Sequence, residues 1–250
     1  AMRGSSVYQQ TLNLTISEKQ KLRRLLEENY LPENRVYRYN FFYDNCTTRA
    51  RDVIERCIEG KVVYSEGKER LSFRDIVHQY TKGHEWDELG IDMCLGSEAD
   101  KPIDARKQMF APFYLLEAAK KATIVVGDSV RPLILHEKKV VDVEPEDVRE
   151  GFPLSPMVCV FILIGVTCFV GWLQFKIRKI IWIWDLLLFG VQGLAGCVIT
   201  FLVFFSTHPT VGSNWLILLL NPIPLIYLPV MVYRAIKGKK DYYHTINIVC

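Results

Sequence analysis

The sequence holds no CxxC motif and no closely spaced pair of histidines, although seven cysteines and five histidines are present. A zinc site needs such ligands in register, so their absence argues against one. The acids Asp92, Glu98, Asp100 and Asp104 lack the one-in-two ligand spacing of an EF-hand. They read as a solvated loop rather than a cation site. There is no internal repeat, no low-complexity tract and nothing that calls for a cofactor. A basic stripe is missing as well. From Pro156 onward the chain carries seven Lys and Arg against two Asp, and the whole chain is +3, which leaves the first 155 residues at −2. The basic balance therefore belongs to the C-terminal half, and a nucleic-acid partner is excluded on charge. No Lys or Arg occurs between Ser206 and Ser213. No export signal is visible either. The chain opens AMRGSSVYQQ, without Met at position 1 and without an apolar h-region, so the sequence predicts a fragment whose natural start lies upstream.

What is abundant is apolar sequence. Of the 250 residues, 50% are hydrophobic, and their distribution rules out a wholly soluble protein. Residues 157–175 contain no charge, 180–205 contain only Asp185, and 214–233 contain none. At about 1.5 Å per residue each stretch covers the ~30 Å hydrocarbon core. Lys176, Arg178 and Lys179 follow the first stretch; Arg234, Lys237, Lys239 and Lys240 follow the third. The positive-inside rule places both basic loops in the cytoplasm, and an odd number of spans then puts the N-terminal part outside. The organisation expected is an extracytoplasmic α+β domain over 1–144, a linker over 145–156, three transmembrane helices within 157–233 and a cytoplasmic tail over 234–250. Asp185, between tryptophans and six residues from Lys179, reads as interfacial rather than as a polar group facing a cavity. Pro222, Pro224 and Pro229 predict a kinked or half-spanning third segment.

In the N-terminal part, residues 7–14 alternate as a strand. Ser17-Glu-Lys-Gln20 has the form of a capping box, and Leu22, Leu25, Leu26 and Tyr30 mark one apolar helix face ended by Pro32 and Asn34. The aromatic run 35–42 predicts a strand. Asp44-Asn45 is a turn and cap signal. Beyond it Cys46, Ala50, Val53, Ile54 and Cys57 share one face of a helix. A helix over 71–80 capped by Ser72, a loop-rich stretch over 83–104, a helix over 112–122, and strands over 122–126 and 133–143 about Gly127-Asp128 complete the reading.

The segment Asp44-Asn45-Cys46-Thr47-Thr48-Arg49 is where chemistry is expected. A thiol in a first helical turn meets free N–H groups and the positive end of the helix dipole, with Arg49 and Arg51 close by. These features favour a thiolate nucleophile, and the N–H groups can serve an oxyanion. The other reading of Cys46 is a buried structural cysteine. Among the cysteines outside the apolar stretches, an oxidising compartment could join Cys57 to Cys94 and leave Cys46 free. A base is also needed. His78, on the helix over 71–80, is the fallback candidate; as for His84, His136 and His208, the alternative is a surface or packing histidine.

Several runs resemble one family. They are Tyr37-Arg-Tyr-Asn-Phe-Phe-Tyr-Asp-Asn-Cys-Thr-Thr-Arg-Ala-Arg-Asp52, Gly90-Ile-Asp-Met-Cys-Leu-Gly-Ser-Glu-Ala-Asp100, Gln108-Met-Phe-Ala-Pro-Phe-Tyr114, and His208-Pro with Asn214-Trp215 and Asn221-Pro222. They are similar to the signature of the Lnb-type lipoprotein N-acyltransferases of diderm bacteria. The resemblance implies a multi-pass protein of the bacterial inner membrane with a periplasmic, papain-like (permuted) cysteine domain. It implies Cys46 as nucleophile, with Asp44, Asn45 and Arg49 beside it. The reaction implied moves a fatty acyl group from a phospholipid donor to the α-amine of a diacylglyceryl-cysteine apolipoprotein through a Cys46 thioester. Family members carry an upstream Gly-His motif that supplies the base; it is absent here, so the upstream segment as a separate chain is one expected partner. The competing expectations are a cysteine hydrolase (phospholipase, thioesterase or cell-wall peptidase), which would release free fatty acid or cleave peptide, and a non-enzymatic membrane-anchored module, which would tolerate Cys46→Ala.

Overall fold

The computed structural model describes residues 6–65, 70–143, 152–179 and 181–238. In chain order the elements are β1 (Val7–Leu12), α1 (Ile16–Tyr30), α2 (Cys46–Cys57), β2 (Lys61–Val63), α3 (Phe73–Thr81), α4 (Glu85–Cys94), α5 (Ala105–Gln108), α6 (Pro112–Lys121), β3 (Thr123–Val126), β4 (Ser129–Pro132), β5 (Ile134–Val141), α7 (Pro156–Ile177), α8 (Trp182–Phe205) and α9 (Ile223–Ile236). Short 3-10 turns run over Ser97–Asp100 and Trp215–Leu218. The expected linker and cytoplasmic tail lie largely outside the described residues, as does Cys250. Contacts divide the chain into two compact units. One comprises residues 1–76 and 102–148; the other comprises 77–101 and 149–250, and the chain passes from the first to the second within α3.

The first unit is α+β. Its two small antiparallel sheets are β1–β5 and β2–β3–β4. The core gathers Cys57, Ile58, Ala119, Ala122, Ile124, Leu133 and Ile134, with Leu22 and Leu25 of α1 packed against it. Leu26 and Tyr30, expected on the same buried face, are 53% and 78% exposed. The cap of α1 is Thr15, not Ser17. The Thr15 hydroxyl accepts from Glu18 N and the Glu18 carboxylate accepts from Thr15 N, completing a capping box two residues earlier than expected. Ser17 instead donates to Glu59. Glu18 is fully buried. Its carboxylate accepts from Thr15 N, Glu59 N and the Arg131 guanidinium, at 2.6 Å for the last, so one side chain ties α1 to the end of α2 and to β4. Burial alone would raise its pKa; the two backbone donors and Arg131 outweigh that and lower it.

Residues 35–42 form no strand. The Asn40 side-chain oxygen accepts from Phe42 N and Tyr43 N, and Asn40 and Asp44 exchange both backbone hydrogen bonds. The backbone groups that a strand would offer are thus turned inward on a tight loop. Phe42 is driven into a cluster with Phe41, Phe73 and Phe110. The helix over 112–122 and the Ser72 cap are present: Ser72 Oγ accepts from Asp75 N, and Asp75 accepts from Ser72 N. β2 and β4 are strands that the sequence did not single out. Both are short and make sense only as partners of β3.

The second unit contains three helical segments long and apolar enough to cross a membrane: Pro156–Ile177, Trp182–Phe205 and Trp215–Ile236. The stretch read as a loop contains α4. Three acids, Glu85, Asp87 and Glu88, occupy its first turn, where the helix dipole favours them. The Trp86 indole donates to Leu154 O at 2.8 Å and its ring meets Phe152 edge-on, so α4 is fastened to the entry of α7. Its other end is fastened to the loop after α8. Gly96 N donates to Thr210 O, Ser97 N to Ser213 O, Glu98 N to Ser213 Oγ, and Asn214 Nδ2 to Met93 O. A Cβ on Gly96 would fall 2.6 Å from the Ser213 carbonyl carbon, so this seam needs glycine. The loop that lacks Lys and Arg is therefore on the same side as α4, in agreement with the charge-based orientation.

The third span is broken between its 3-10 turn and α9. Gln192 Nε2 of α8 donates to Leu219 O, and Asn221 Oδ1 accepts from Ile223 N, so the interrupted backbone is satisfied from within the protein. Gly196 lets Asn221 approach; a Cβ there would lie 2.4 Å from its carbonyl carbon. Leu228 and Met231 of α9 pack with Trp182, Leu186 and Phe189 of α8. Asp185 is buried in the first turn of α8. No residue of α7 is buried.

Candidate functional site

The site begins with Asn45. Its side-chain oxygen accepts from Thr47 N and Thr48 N, both at 2.9 Å, and its amide donates to Phe41 O and Phe110 O. Thr48 Oγ1 in turn accepts from Asn45 N, closing a capping box. One buried amide therefore starts α2, pins the 40–45 loop and anchors the turn before α6. Cys46 is the first residue of α2 and is exposed. The helix face expected to be apolar changes along its length: Cys46 and Ala50 are open, Val53 and Ile54 half-buried and Cys57 fully buried. The N-terminal end of α2 opens on a pocket while its C-terminal end enters the core.

That pocket is a shallow, almost wholly apolar depression of about 330 Å³, lined by Gln10, Cys46, Thr47, Ala50, Pro112, Leu115 and Leu116. Gln10 fixes its rim, donating to Leu116 O at 2.9 Å and to Glu137 Oε2 at 2.8 Å. Lys120 binds the other Glu137 oxygen and, with Gln10, holds that carboxyl below its usual range.

Asp44 and Arg49 meet through two hydrogen bonds, Nε to Oδ1 at 2.7 Å and Nη2 to Oδ2 at 2.9 Å. The guanidinium also lies 3.4 Å from the centroid of the Tyr37 ring. Tyr39 stands close enough to Cys46 that burial, with the charges of Cys46 and Tyr37 adding to it, raises its hydroxyl pKa. Of the first-turn N–H donors expected to serve an oxyanion, Asn45 takes those of Thr47 and Thr48. The Cys46 N–H makes no hydrogen bond among the described residues. Arg51, expected as a nearby positive charge, points away from the motif: it is buried, donating to Arg106 O and pairing with Asp52.

Asp44, Asn45, Cys46 and Arg49 are thus gathered in the first unit. His78 belongs to the second, where its Nε2 lies 3.0 Å from both carboxylate oxygens of Asp92. In β5, His136 stands next to Glu137, and strand alternation gives the Gln10 side to Glu137. His84 sits 3.8 Å from Asp87. Cys57 and Cys94 are both free, against the expected disulfide. Cys57 closes α2 inside the core, its Sγ 3.1 Å from Ile54 O, and burial raises its pKa. Asp104, read as part of a solvated loop, caps α5 through Lys107 N. The sequence did not disclose the pocket walls from α6, Gln10 from β1, or Asp92 as the partner of His78. Only the Gln108–Tyr114 run carried a signal near them.

Residues 1–82 match the family model described as the Lnb N-terminal periplasmic domain, and residues 147–250 match that described as the Lnb transmembrane domain. No curated protein and no solved structure matches the chain. The two matches fall in chain order on a domain and on the three apolar helices that follow it. The chain belongs to the Lnb-type family and is a membrane protein with a periplasmic domain.

Proposed function

We propose that this protein is a lipoprotein N-acyltransferase, moving a fatty acyl group from a phospholipid to the α-amine of a diacylglyceryl-cysteine apolipoprotein. The observation that carries the reading is the exposed thiol of Cys46 at the start of α2, on the edge of an apolar pocket, in the periplasmic domain of a membrane protein. The Cys46 thiolate attacks the ester carbonyl of the donor; the C–O bond breaks and the lysophospholipid alkoxide takes a proton. The amine then attacks the thioester carbonyl, the C–S bond breaks, the thiolate is restored and the amine gives up a proton. The Cys46 N–H is the backbone donor for the oxyanion of both steps. Tethering to the bilayer raises the effective concentration of a lipid donor and a lipid-anchored acceptor.

The test is intact-mass analysis of lipoprotein N-termini from cells carrying the wild-type protein or Cys46→Ser. The expected result is loss of the N-acylated species in Cys46→Ser. An unchanged N-acylated population would overturn the reading. Release of free fatty acid with no amide product would replace it with hydrolysis.

A further inference from the structure

We infer that the depression beside Cys46 is the seat of the acyl chain itself, with its carbonyl end at Thr47 and its methylenes along Ala50, Pro112, Leu115 and Leu116. This deepens the acyltransferase reading and rests on Cys46 being the residue that is acylated.

The lining is divided by polarity. At one end stand Cys46 and Thr47. Thr47 is 9% exposed, yet its hydroxyl makes no hydrogen bond among the described residues and its side chain lines the pocket. On the pocket wall that hydroxyl can donate to an acceptor brought by a ligand. The Cys46 N–H is open in the same way. Two donors beside a nucleophilic sulfur suit one carbonyl oxygen. The remaining surface is Ala50, Pro112, Leu115 and Leu116, with no charged group. Gln10 is polar, but both of its amide hydrogens are already engaged by Leu116 O and Glu137, so it offers a second head group no donor. A ligand with one polar end and an unbranched apolar remainder matches this division; a peptide, with a donor and an acceptor at every residue, does not. At about 330 Å³ and open to solvent, the depression suits the proximal part of a fatty chain rather than the whole of one.

Ala50 is the residue on which to test this. It lies one helical turn from Cys46, is exposed, and can be enlarged without disturbing the core. The full chain in nanodiscs is treated with N-ethylmaleimide or N-dodecylmaleimide, each adding its C=C bond across the Cys46 thiol, with Cys46→Ser as background. The wild type is expected to favour the dodecyl reagent, and Ala50→Phe to lower the dodecyl-to-ethyl rate ratio by about tenfold, the loss of roughly two buried methylene groups. In cells Ala50→Phe shortens the N-acyl chains found on lipoproteins, whereas Thr47→Val slows transfer and leaves chain length unchanged. A labelling ratio equal in wild type and Ala50→Phe overturns the acyl seat whatever the activity. A lowered ratio from a protein that never forms amide-linked product upholds the seat and overturns the transferase reading instead.

Discussion

Arg49 Nε donates to Asp44 Oδ1 at 2.7 Å, and the two side chains close a ring around the first turn of the helix that Cys46 begins. The positive charge that the sequence set beside the thiol is matched within the motif by a carboxylate. The pair is also an anchor, because the guanidinium lies on Tyr37 and so draws the start of the aromatic loop back to α2.

Both partners are about two-fifths exposed, so their coupling is modest. In a double-mutant cycle with Asp44→Asn and Arg49→Gln, read by chemical denaturation, the coupling energy should be about 0.5–1 kcal/mol. Arg49→Gln should cost more than Asp44→Asn, since it also removes the cation–π contact, worth roughly 0.5–1 kcal/mol. Equal single-variant costs would show that the Tyr37 contact contributes nothing.

Asn45→Ala should be far more damaging. It removes a helix cap, about 1 kcal/mol, and strands the carbonyls of Phe41 and Phe110, at about 1–3 kcal/mol for each that stays buried. Asn45→Asp keeps the cap acceptor but turns an anion toward both carbonyls. It should therefore destabilise despite being a good capping residue, and a stability equal to wild type would show that the carbonyl contacts do not matter.

Glu18 sets the acid sensitivity of the first unit. Its folded pKa lies below the ordinary 4.5, so the unfolded state binds the proton more tightly. The stabilisation is complete above pH 4.5 and is lost as pH falls through the folded value. Glu18→Gln should cost about 3 kcal/mol at neutral pH, because Arg131 is left without its carboxylate. It should also flatten the fall in stability below pH 4.5 in acid titrations followed by circular dichroism. An undiminished acid slope would assign that slope to other carboxylates.

In the second unit Gly96→Ala should open the seam between α4 and the loop after α8, at about 1–3 kcal/mol for forced overpacking. Hydrogen exchange at the amides of Ser97 and Glu98 reports it directly: both should lose protection, while the amides of α9 keep theirs.

A charged maleimide applied from the periplasmic side should modify Cys46 in the native protein and reach Cys57 only on unfolding, since Cys57 is fully buried and burial raises its pKa. Peptide mapping without reductant should find no Cys57–Cys94 bridge. Early labelling of Cys57 would mean that the core around Ile124 and Leu133 opens readily.

Some of this was plain from the chain alone. Uninterrupted apolar runs have one stable solution in a bilayer, so the spans and their prolines could be read directly, as could the orientation from Lys and Arg. Asn45 before Cys46 was legible because capping is a relation between residues two and three positions apart. Short-range chemistry of that kind misled elsewhere. The aromatics at 35–42 have strand propensity, but among the described residues no strand pairs with them, and the Asn40 side chain takes the N–H groups of Phe42 and Tyr43. Ser17 with Gln20 has the same pattern as Thr15 with Glu18, and only the burial of Glu18 against Arg131, 113 residues away, selects Thr15.

Sequence by itself determined the membrane segments, the extracytoplasmic side of the N-terminal part and the place of Cys46 at a helix start, since each follows from hydropathy, charge or neighbours within one turn; that Cys46 is exposed rather than buried was decided by the fold. Tertiary structure decided what stands beside that cysteine. Gln10 from a strand and Pro112, Leu115 and Leu116 from a distant helix make the pocket; within the second unit, separately, Asp92 meets His78 from a helix read as a loop. Side chains this far apart along the chain meet only after the backbone has closed its hydrogen bonds and buried its core, and no local pattern records which ones will.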